Sequence, residues 1–193
     1  MSFLKRFKNH FGNKLLIIAG LLIFSSFLVT AQYVNASSQP KQVPIPEPSS
    51  EQEFPDADFS MQLKDMSGKQ ISLEDLKGKV IFMNLWASWC SPCIKEMPSI
   101  QALYDKTDRD KVAFVMLSLD ENDEKAEKFI KKRGFTFPVY RLTKNELPGL
   151  YQTQAIPTTY VISPKGKLLV RHQGMADYSS QDMVDFINEA YQQ

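Results

Sequence analysis

Apolar residues in the C-terminal part of the chain form two kinds of pattern, continuous runs and helical repeats. Residues 80–86 and 112–119 are almost continuously apolar, which is typical of central strands covered on both faces. Residues 94–104 and 123–133 instead repeat apolar side chains at helical spacing. These side chains are Met97, Ile100, Leu103 and Tyr104 in the first segment and Ala126, Phe129 and Ile130 in the second. The pattern predicts two buried strands, each followed by a helix.

Shorter apolar segments surround this central region. Residues 59–63 with 69–73, and residues 158–162 with 168–172, have the alternation and the intervening turn residues of hairpins. Strands that alternate with helices and end in a hairpin predict an α/β sandwich, with a central mixed sheet flanked by helices. Further elements predicted are a helical turn at 74–76, a strand at 137–142, a short helix at 147–151, and a C-terminal amphipathic helix with a capping box of Ser179 and Asp182.

The N-terminal part of the chain has the pattern of a targeting segment. Residues 1–14 are basic, and residues 15–34 are apolar and just long enough to span a membrane. Basic residues on the N-terminal side predict that this side stays in the cytoplasm and that the rest is exported. The segment is either a retained transmembrane anchor, which we favour, or a signal peptide cleaved after Ala31 or Ala36. Both alternatives place the following domain outside the cytoplasm.

Composition divides the rest of the chain into a linker and one domain. Residues 35–57 alternate proline with Ser, Gln and Glu, a composition that cannot bury a core, so we expect an extended linker there. Residues 58–193 form the predicted domain. Four of the 23 basic residues lie in the first 36 positions, and the remainder carries 19 basic against 22 acidic residues. This balance does not fit a nucleic-acid-binding face.

The two cysteines of the chain, Cys90 and Cys93, lie where the first buried strand leads into a helix. The N–H groups and the dipole of a helix N-terminus favour a thiolate, and Cys-x-x-Cys at this position is typical of thiols with a lowered pKa. A zinc site would need two more ligands, and His10 and His172 lie at no recognisable ligand spacing. Haem attachment would require a histidine where Ile94 stands. The sequence therefore predicts redox chemistry by a dithiol–disulfide pair, with no metal and no other cofactor.

Several motifs extend this prediction to a known family. They are Val80–Cys93 followed by Glu96 and Pro98, the segment from Phe59 to Lys79, Gly134 with Phe137-Pro138, Ile156-Pro157-Thr158-Thr159, and the turn Ser163-Pro164-Lys165-Gly166. Together they resemble the TlpA/ResA-like family of membrane-anchored thiol-disulfide oxidoreductases, over about residues 54–193. The resemblance implies a thioredoxin-like fold with an N-terminal hairpin and a central insertion between Cys93 and Pro157.

Roles follow for the residues of the cysteine motif. Cys90, nearer the tip of the helix, is the candidate nucleophile, and Cys93 is the candidate resolving thiol. Pro92 suits the first turn of the helix, and together with Ser91 it is expected to tune the stability of the thiolate. Trp89 is expected to belong to an exposed apolar rim that docks partners, whereas Trp86 is expected to pack in the core.

Two further positions take their roles from the resemblance. Pro157 matches the cis-proline of the family, which would orient the backbone of Ile156 toward a substrate peptide, although proline also suits the start of a strand. Asn84 stands where thioredoxins carry a buried acid, so proton transfer must come from elsewhere. Glu96, one helical turn after Cys93, matches the active-site glutamate of the family, and we expect its pKa to be raised. A solvated helix position is the alternative for Glu96.

The resemblance implies a reductase of protein disulfides outside the cytoplasm, supplied with electrons by a membrane thiol-disulfide donor. Apocytochrome c is the substrate best associated with the family. A net oxidant that forms disulfides is an alternative, although Ser91-Pro92 lacks the histidine of the strongly oxidising class. A redox-inert binding or chaperone module is another alternative. A peroxidase of the peroxiredoxin type fits less well, because the Pro…Thr…Cys arrangement is missing.

Overall fold

The structure is a computed structural model that describes residues 43–45, 54–144 and 146–192. The predicted anchor at 15–34 and most of the predicted linker lie outside these ranges. None of the helices within the described ranges is long and apolar enough to cross a membrane. The membrane segment therefore stays a prediction.

Seven strands form one mixed sheet in the order β2-β1-β5-β4-β3-β6-β7. Strands β3, β4 and β5 are parallel to one another, and the antiparallel pairs β1–β2 and β6–β7 complete the two edges. The mixed sheet and both hairpins are as the sequence predicts. The strands are β1 Gln62–Asp65, β2 Gln70–Ser72, β3 Val80–Trp86, β4 Val112–Ser118, β5 Val139–Leu142, β6 Thr158–Ile162 and β7 Leu168–Gln173.

Within the described residues, three α-helices connect or follow the strands, and each has a cap that explains where it begins or ends. They are α1 Ser91–Lys106, α2 Asp123–Arg133 and α3 Gln181–Gln192, with shorter 3-10 helices at Leu73–Leu76 and Gly149–Tyr151. The side chain of Asn122 accepts the N–H of Glu124 and begins α2. Gly134 ends α2 in the left-handed conformation at a φ of 74°, which glycine adopts without steric cost.

The start of α3 differs from the sequence prediction. The hydroxyl of Ser180, not that of Ser179, accepts the N–H of Met183 at 3.2 Å. Ser179 instead donates its hydroxyl to Asp177 at 2.6 Å. Because Asp177 binds the hydroxyl of Ser179, the serine nearer to it in sequence, Ser180 caps α3 instead.

Two buried clusters lie on opposite faces of the sheet, because side chains alternate along each strand. Phe82 and Trp86 of β3 belong to the cluster that contains both cysteines and residues of all three α-helices. Met83 and Leu85 belong to the other cluster, which contains Leu73 and Tyr151 of the 3-10 helices. All seven residues of β3 are buried, so β3 is the centre of the fold.

The chain already contacts this domain before β1. The N–H of Ala57 donates to the carbonyl oxygen of Gly166 at 2.8 Å, and the N–H of Leu168 donates to that of Pro55 at 2.9 Å. These bonds connect residues 55–57 to the turn between β6 and β7. Val43, farther upstream, is also buried.

Candidate active site

The cysteine pair lies at the junction that the sequence predicts, between the end of β3 and the first turn of α1. Cys90 and Cys93 form a disulfide. Cys90 is the N-cap residue of α1, and its sulfur accepts the N–H of Cys93 at 3.3 Å. Ser91 and Pro92, in the first turn, are exposed. The sulfur of Cys90 therefore receives a backbone hydrogen bond at the positive end of a helix dipole, where a thiolate is stabilised.

The segment before β6 faces Cys90. The peptide bond between Ile156 and Pro157 is cis, as the resemblance implied. The carbonyl oxygen of Ile156 lies 3.7 Å from the sulfur of Cys90. Gly174, at the end of β7, donates its N–H to the carbonyl oxygen of Pro157 at 2.8 Å. Backbone contacts thus hold the loop of Ile156 directly beside the disulfide.

Glu96 is buried and not solvated, with 2% of its surface exposed. One carboxylate oxygen accepts the side-chain N–H of Asn84 on β3 at 2.9 Å. The other oxygen accepts the backbone N–H of Ala176, in the segment between β7 and α3, at 3.1 Å. The acid of the site thus lies on α1 and contacts Asn84, the amide at the position where the resemblance implies a buried acid in thioredoxins.

A chain of hydrogen bonds continues from Asn84 into the core. Its side-chain N–H also reaches the hydroxyl of Thr159, which is its partner across the β3–β6 pairing. Tyr178 donates its hydroxyl to the same Thr159 oxygen at 2.6 Å. Burial raises the pKa of Tyr178, and the neighbouring Glu96 raises it further, so the phenol stays a neutral donor.

Burial raises the pKa of Glu96 from 4.5 to about 7, although the hydrogen bonds from Asn84 and Ala176 lower it in part. The side-chain oxygen of Asn84 is buried and has no hydrogen-bond partner within the described residues. A protonated Glu96 needs an acceptor for its own hydrogen, and this oxygen can serve once the amide turns over. The site can therefore hold Glu96 in either protonation state near neutral pH.

Two apolar side chains are exposed on chain segments that contact this region. Trp89, directly before Cys90, has 68% of its surface exposed. Met175, with 37% exposed, lies between Gly174, which contacts Pro157, and Ala176, which contacts Glu96. Trp86 is fully buried and packs against Phe129, as predicted. We call Trp89 and Met175 the apolar rim.

The structure brings all of the predicted site residues to one end of the sheet. They are Cys90, Cys93, Glu96, Trp89, Ser91, Pro92, Ile156 and Pro157. Sequence reasoning missed the parts played by Thr159, Tyr178 and Met175. The register that pairs Asn84 with Thr159 was the one signal that could have found Thr159, and it required the pairing of β3 with β6. Within the described ranges, no cluster of three or more His, Cys, Asp or Glu could hold a metal ion.

This fold and site define a thioredoxin-like protein with a Cys-x-x-Cys disulfide at a helix N-terminus. The AhpC/TSA family model matches residues 51–171, and the chain belongs to that family. The resemblance to ResA-like proteins is confirmed by relatives of known name.

Thiol-disulfide oxidoreductase ResA of Bacillus thuringiensis (strain Al Hakam) is 39% identical over 105 residues, which cover 54% of this chain and 61% of that protein. The chain thus matches about three fifths of the length of that relative. Thioredoxin-like protein YneN of Bacillus subtilis (strain 168) is 34% identical over 160 residues, covering 81% of this chain and 89% of that protein. The crystal structure of StoA from Bacillus subtilis matches 65% of this chain and 93% of its own, at 31% identity and a TM-score of 0.55.

The buried Glu96 predicts a specific pH dependence of stability. Its pKa is higher in the folded protein, at about 7, than its ordinary value of 4.5, so the folded state retains a proton that the unfolded state loses between these pH values. The free energy of unfolding should therefore fall by about 3 kcal/mol from pH 4.5 to pH 8 because of this group. In Glu96→Gln this contribution is absent. Urea unfolding of the oxidised protein across this pH range measures the difference between the two proteins.

Glu189→Gln, an exposed position on α3, is the matched control. It should leave the pH dependence of the wild type unchanged. A stability difference between wild type and Glu96→Gln that is constant with pH would show that Glu96 does not titrate with a raised pKa.

Proposed function

We propose that this chain is an extracytoplasmic protein thiol-disulfide oxidoreductase that reduces disulfides of exported proteins. The observation that carries the proposal is the position of Cys90, whose sulfur receives the N–H of Cys93 at the start of α1 and faces the loop of Ile156. This environment favours the thiolate that attacks a disulfide, and it leaves an adjacent backbone segment for a substrate peptide.

The reaction proceeds through two exchanges. In the reduced protein, the Cys90 thiolate attacks one sulfur of the substrate disulfide, forms a mixed disulfide and releases the other substrate sulfur as a thiolate. Cys93 then loses its proton and attacks the sulfur of Cys90, which re-forms the Cys90–Cys93 disulfide and releases the second substrate thiolate. The substrate gains two electrons, which the protein loses. The two substrate thiolates take up two protons, one released by Cys93 and one from the solvent.

Glu96 is suited to handle the proton of Cys93. It follows Cys93 by three residues on α1, and its pKa of about 7 lets it accept or donate a proton near neutral pH. Asn84 and Ala176 hold the carboxylate in place, and Tyr178 fixes Thr159 behind Asn84. Glu96 would therefore act as the base that deprotonates Cys93 for the second exchange.

The apolar rim is the proposed docking surface for the substrate polypeptide. Trp89 and Met175 leave apolar surface in water next to a reactive disulfide, and such surface is typical of a site that a partner covers. The carbonyl oxygen of Ile156 lies 3.7 Å from the sulfur of Cys90, and we propose that the backbone at Ile156 and Pro157 pairs with an extended substrate segment. Affinity would then depend little on the substrate sequence, which suits a protein that acts on several disulfides.

Each cycle consumes two electrons, and the chain has no second cysteine pair to supply them. We therefore propose a separate thiol-disulfide donor in the membrane, to which the segment at 15–34 would tether this domain through the linker. Apocytochrome c, whose haem-binding cysteines must be reduced, is the substrate that we propose for the domain outside the cytoplasm. A signal peptide cleaved from the chain would leave the same domain in the same compartment.

Cys93→Ser should convert the first exchange into a trap. Without the resolving thiol, the mixed disulfide through Cys90 persists, because nothing in the site attacks it. Non-reducing electrophoresis of cells that express the variant should show adducts that disappear with reductant, and mass spectrometry of the adducts identifies the substrates. Cys90→Ala, which keeps Cys93 as the one cysteine of the chain, is the control and should trap nothing. Adducts that form in Cys90→Ala would contradict the assignment of Cys90 as nucleophile.

The reduction potential of the Cys90–Cys93 pair, measured at equilibrium, tests the direction of the reaction. A reductase should have a reduction potential nearer to the roughly −270 mV of thioredoxin than to the about −120 mV of DsbA. Titration against glutathione or dithiothreitol buffers, followed by alkylation of the free thiols, gives the value. A potential near that of DsbA would favour the alternative of a net oxidant.

Trp89→Ala tests the docking surface. The substitution should raise the KM for a protein substrate that contains a disulfide about five- to twentyfold, because it removes the largest exposed apolar side chain beside Cys90. The rate with a small aromatic disulfide, which does not span the rim, should change by less than about twofold. Tyr191→Ala is the matched control, since Tyr191 is also exposed and its ring contacts Lys111, at the opposite end of β4. Equal KM effects of the two substitutions would contradict docking at Trp89.

A further inference from the structure

A buried carboxylate that the reaction does not use lies beside the loop that leads into Cys90. Asp120 follows β4, and 1% of its surface is exposed. It comes close to the active-site loop because β3 and β4 are parallel and end together, with Trp86 paired to Ser118. Leu119 extends the pairing by one step, since its N–H donates to the carbonyl oxygen of Trp86 at 2.8 Å. The next residues of the two strands, Ser88 and Asp120, then meet.

Asp120 holds Ser88 by both its backbone and its side chain. One carboxylate oxygen accepts the N–H of Ser88 at 3.0 Å, and the other accepts its hydroxyl at 2.8 Å. The hydroxyl of Ser118 donates to the first of these oxygens at 3.0 Å. Arg141 of β5 donates to the backbone carbonyl oxygen of Asp120 at 2.7 Å and forms an ion pair with Asp123. Ser118 and Arg141 therefore hold Asp120 in place after β4, and its carboxylate forms two hydrogen bonds to Ser88 in the loop before Cys90.

Ser88 lies inside the turn that orients Cys90. The N–H of Cys90 donates to the carbonyl oxygen of Ala87 at 3.1 Å, which makes residues 87–90 a four-residue turn with Ser88 in its second position. The hydrogen bond that closes the turn does not use the N–H of Ser88, and this N–H donates to Asp120. Without Asp120, this part-buried donor would lack its partner, and the turn would lose the bonds that fix its second residue.

We propose that Asp120 is a positioning residue for Cys90. By holding Ser88, it fixes the turn so that the sulfur of Cys90 stays 3.3 Å from the N–H of Cys93 and faces the carbonyl oxygen of Ile156. A sulfur that leaves this place loses its helix N–H contact, and its thiolate is stabilised less. The inference rests on the proposed function, in which Cys90 is the attacking thiol. It predicts that Asp120 acts on the acidity of Cys90 through Ser88.

Alkylation of a single thiol tests the proposal. In the Cys93→Ser background of the full chain, Cys90 is the one thiol, and the pH midpoint of its reaction with iodoacetamide reports its acidity. Adding Asp120→Asn should raise this midpoint and make the reaction at pH 7 roughly three- to tenfold slower, since the amide nitrogen cannot accept a hydrogen bond and only one of the two acceptor oxygens that bind Ser88 remains. The plateau rate at high pH separately reports access to the sulfur.

Ser118→Ala is the matched control, because it removes two buried hydrogen bonds between Ser118 and Asp120 but none of the bonds to Ser88 in the turn. It should lower the melting temperature without moving the alkylation midpoint. A merely structural role for Asp120 would give the same result for Asp120→Asn, and an unchanged midpoint in that variant would overturn the proposal. A shift in Ser118→Ala as large as that in Asp120→Asn would overturn it as well.

Ser88→Ala keeps the proposal testable if Asp120→Asn does not fold. It removes the hydroxyl bond and leaves the backbone bond, so the midpoint should move in the same direction by less. An unchanged midpoint would contradict the proposal. Adding Ser88→Ala to a folded Asp120→Asn variant should have a smaller effect than it has alone, because the two residues share one interaction. Failure of the proposed function has a different readout, the absence of trapped disulfide partners.

Discussion

The site depends on the register of β3 between its two neighbours. Its pairing with β6 puts Asn84 beside Thr159, and its parallel pairing with β4 lets Asp120 meet Ser88. A shift of one residue would turn every side chain of β3 to the other face of the sheet. Because β3 is buried throughout, such a shift would exchange Phe82 and Trp86 for Met83 and Leu85 in two separately packed clusters. The packing of the core thus fixes the positions of the active-site side chains.

The position of Glu96 shows how a fold can keep an acid that opposes its stability. A domain is stable by only about 5–15 kcal/mol, so an acid whose pKa burial raises from 4.5 to about 7 is a substantial cost, about 3 kcal/mol at neutral pH. Apolar residues could occupy the same place on α1 without that cost. The bonds from Asn84 and Ala176 offset it only in part, since the pKa still rises to about 7. A carboxyl group held at this value beside a thiol pair is better explained by proton transfer than by packing.

Patterns within short stretches of sequence predicted most of the fold, because strand and helix formation depend largely on residues that are close in sequence. The bounds of β3 and α2 match the prediction, since an apolar run and a capped amphipathic helix each have sharp ends. The prediction that Ser179 caps α3 was wrong, because the hydroxyl of Ser179 donates to Asp177 and Ser180 accepts the N–H of Met183 instead. The burial of Glu96 was also beyond such patterns, because its partner Ala176 lies 80 residues away. The resemblance to the TlpA/ResA-like family identified Glu96 as a candidate site residue. Only the contacts between segments that are distant in sequence explain its burial and its raised pKa.

Two carboxyl side chains with different surroundings serve one pair of thiols. Asp120 has neutral donors at both oxygens and anchors the turn before Cys90, whereas Glu96 has fewer donors and lies after Cys93. A carboxylate whose two oxygens are bonded to one loop suits a structural task, whereas a carboxyl group with a raised pKa, such as Glu96, can exchange a proton. In the function and the inference that we propose, the two tasks of the site, to orient the first thiol and to deprotonate the second, therefore fall to separate acids. Because Asp120 comes from β4 and Glu96 from α1, one can change without displacing the other, so the orientation of Cys90 and the proton transfer to and from Cys93 can vary independently.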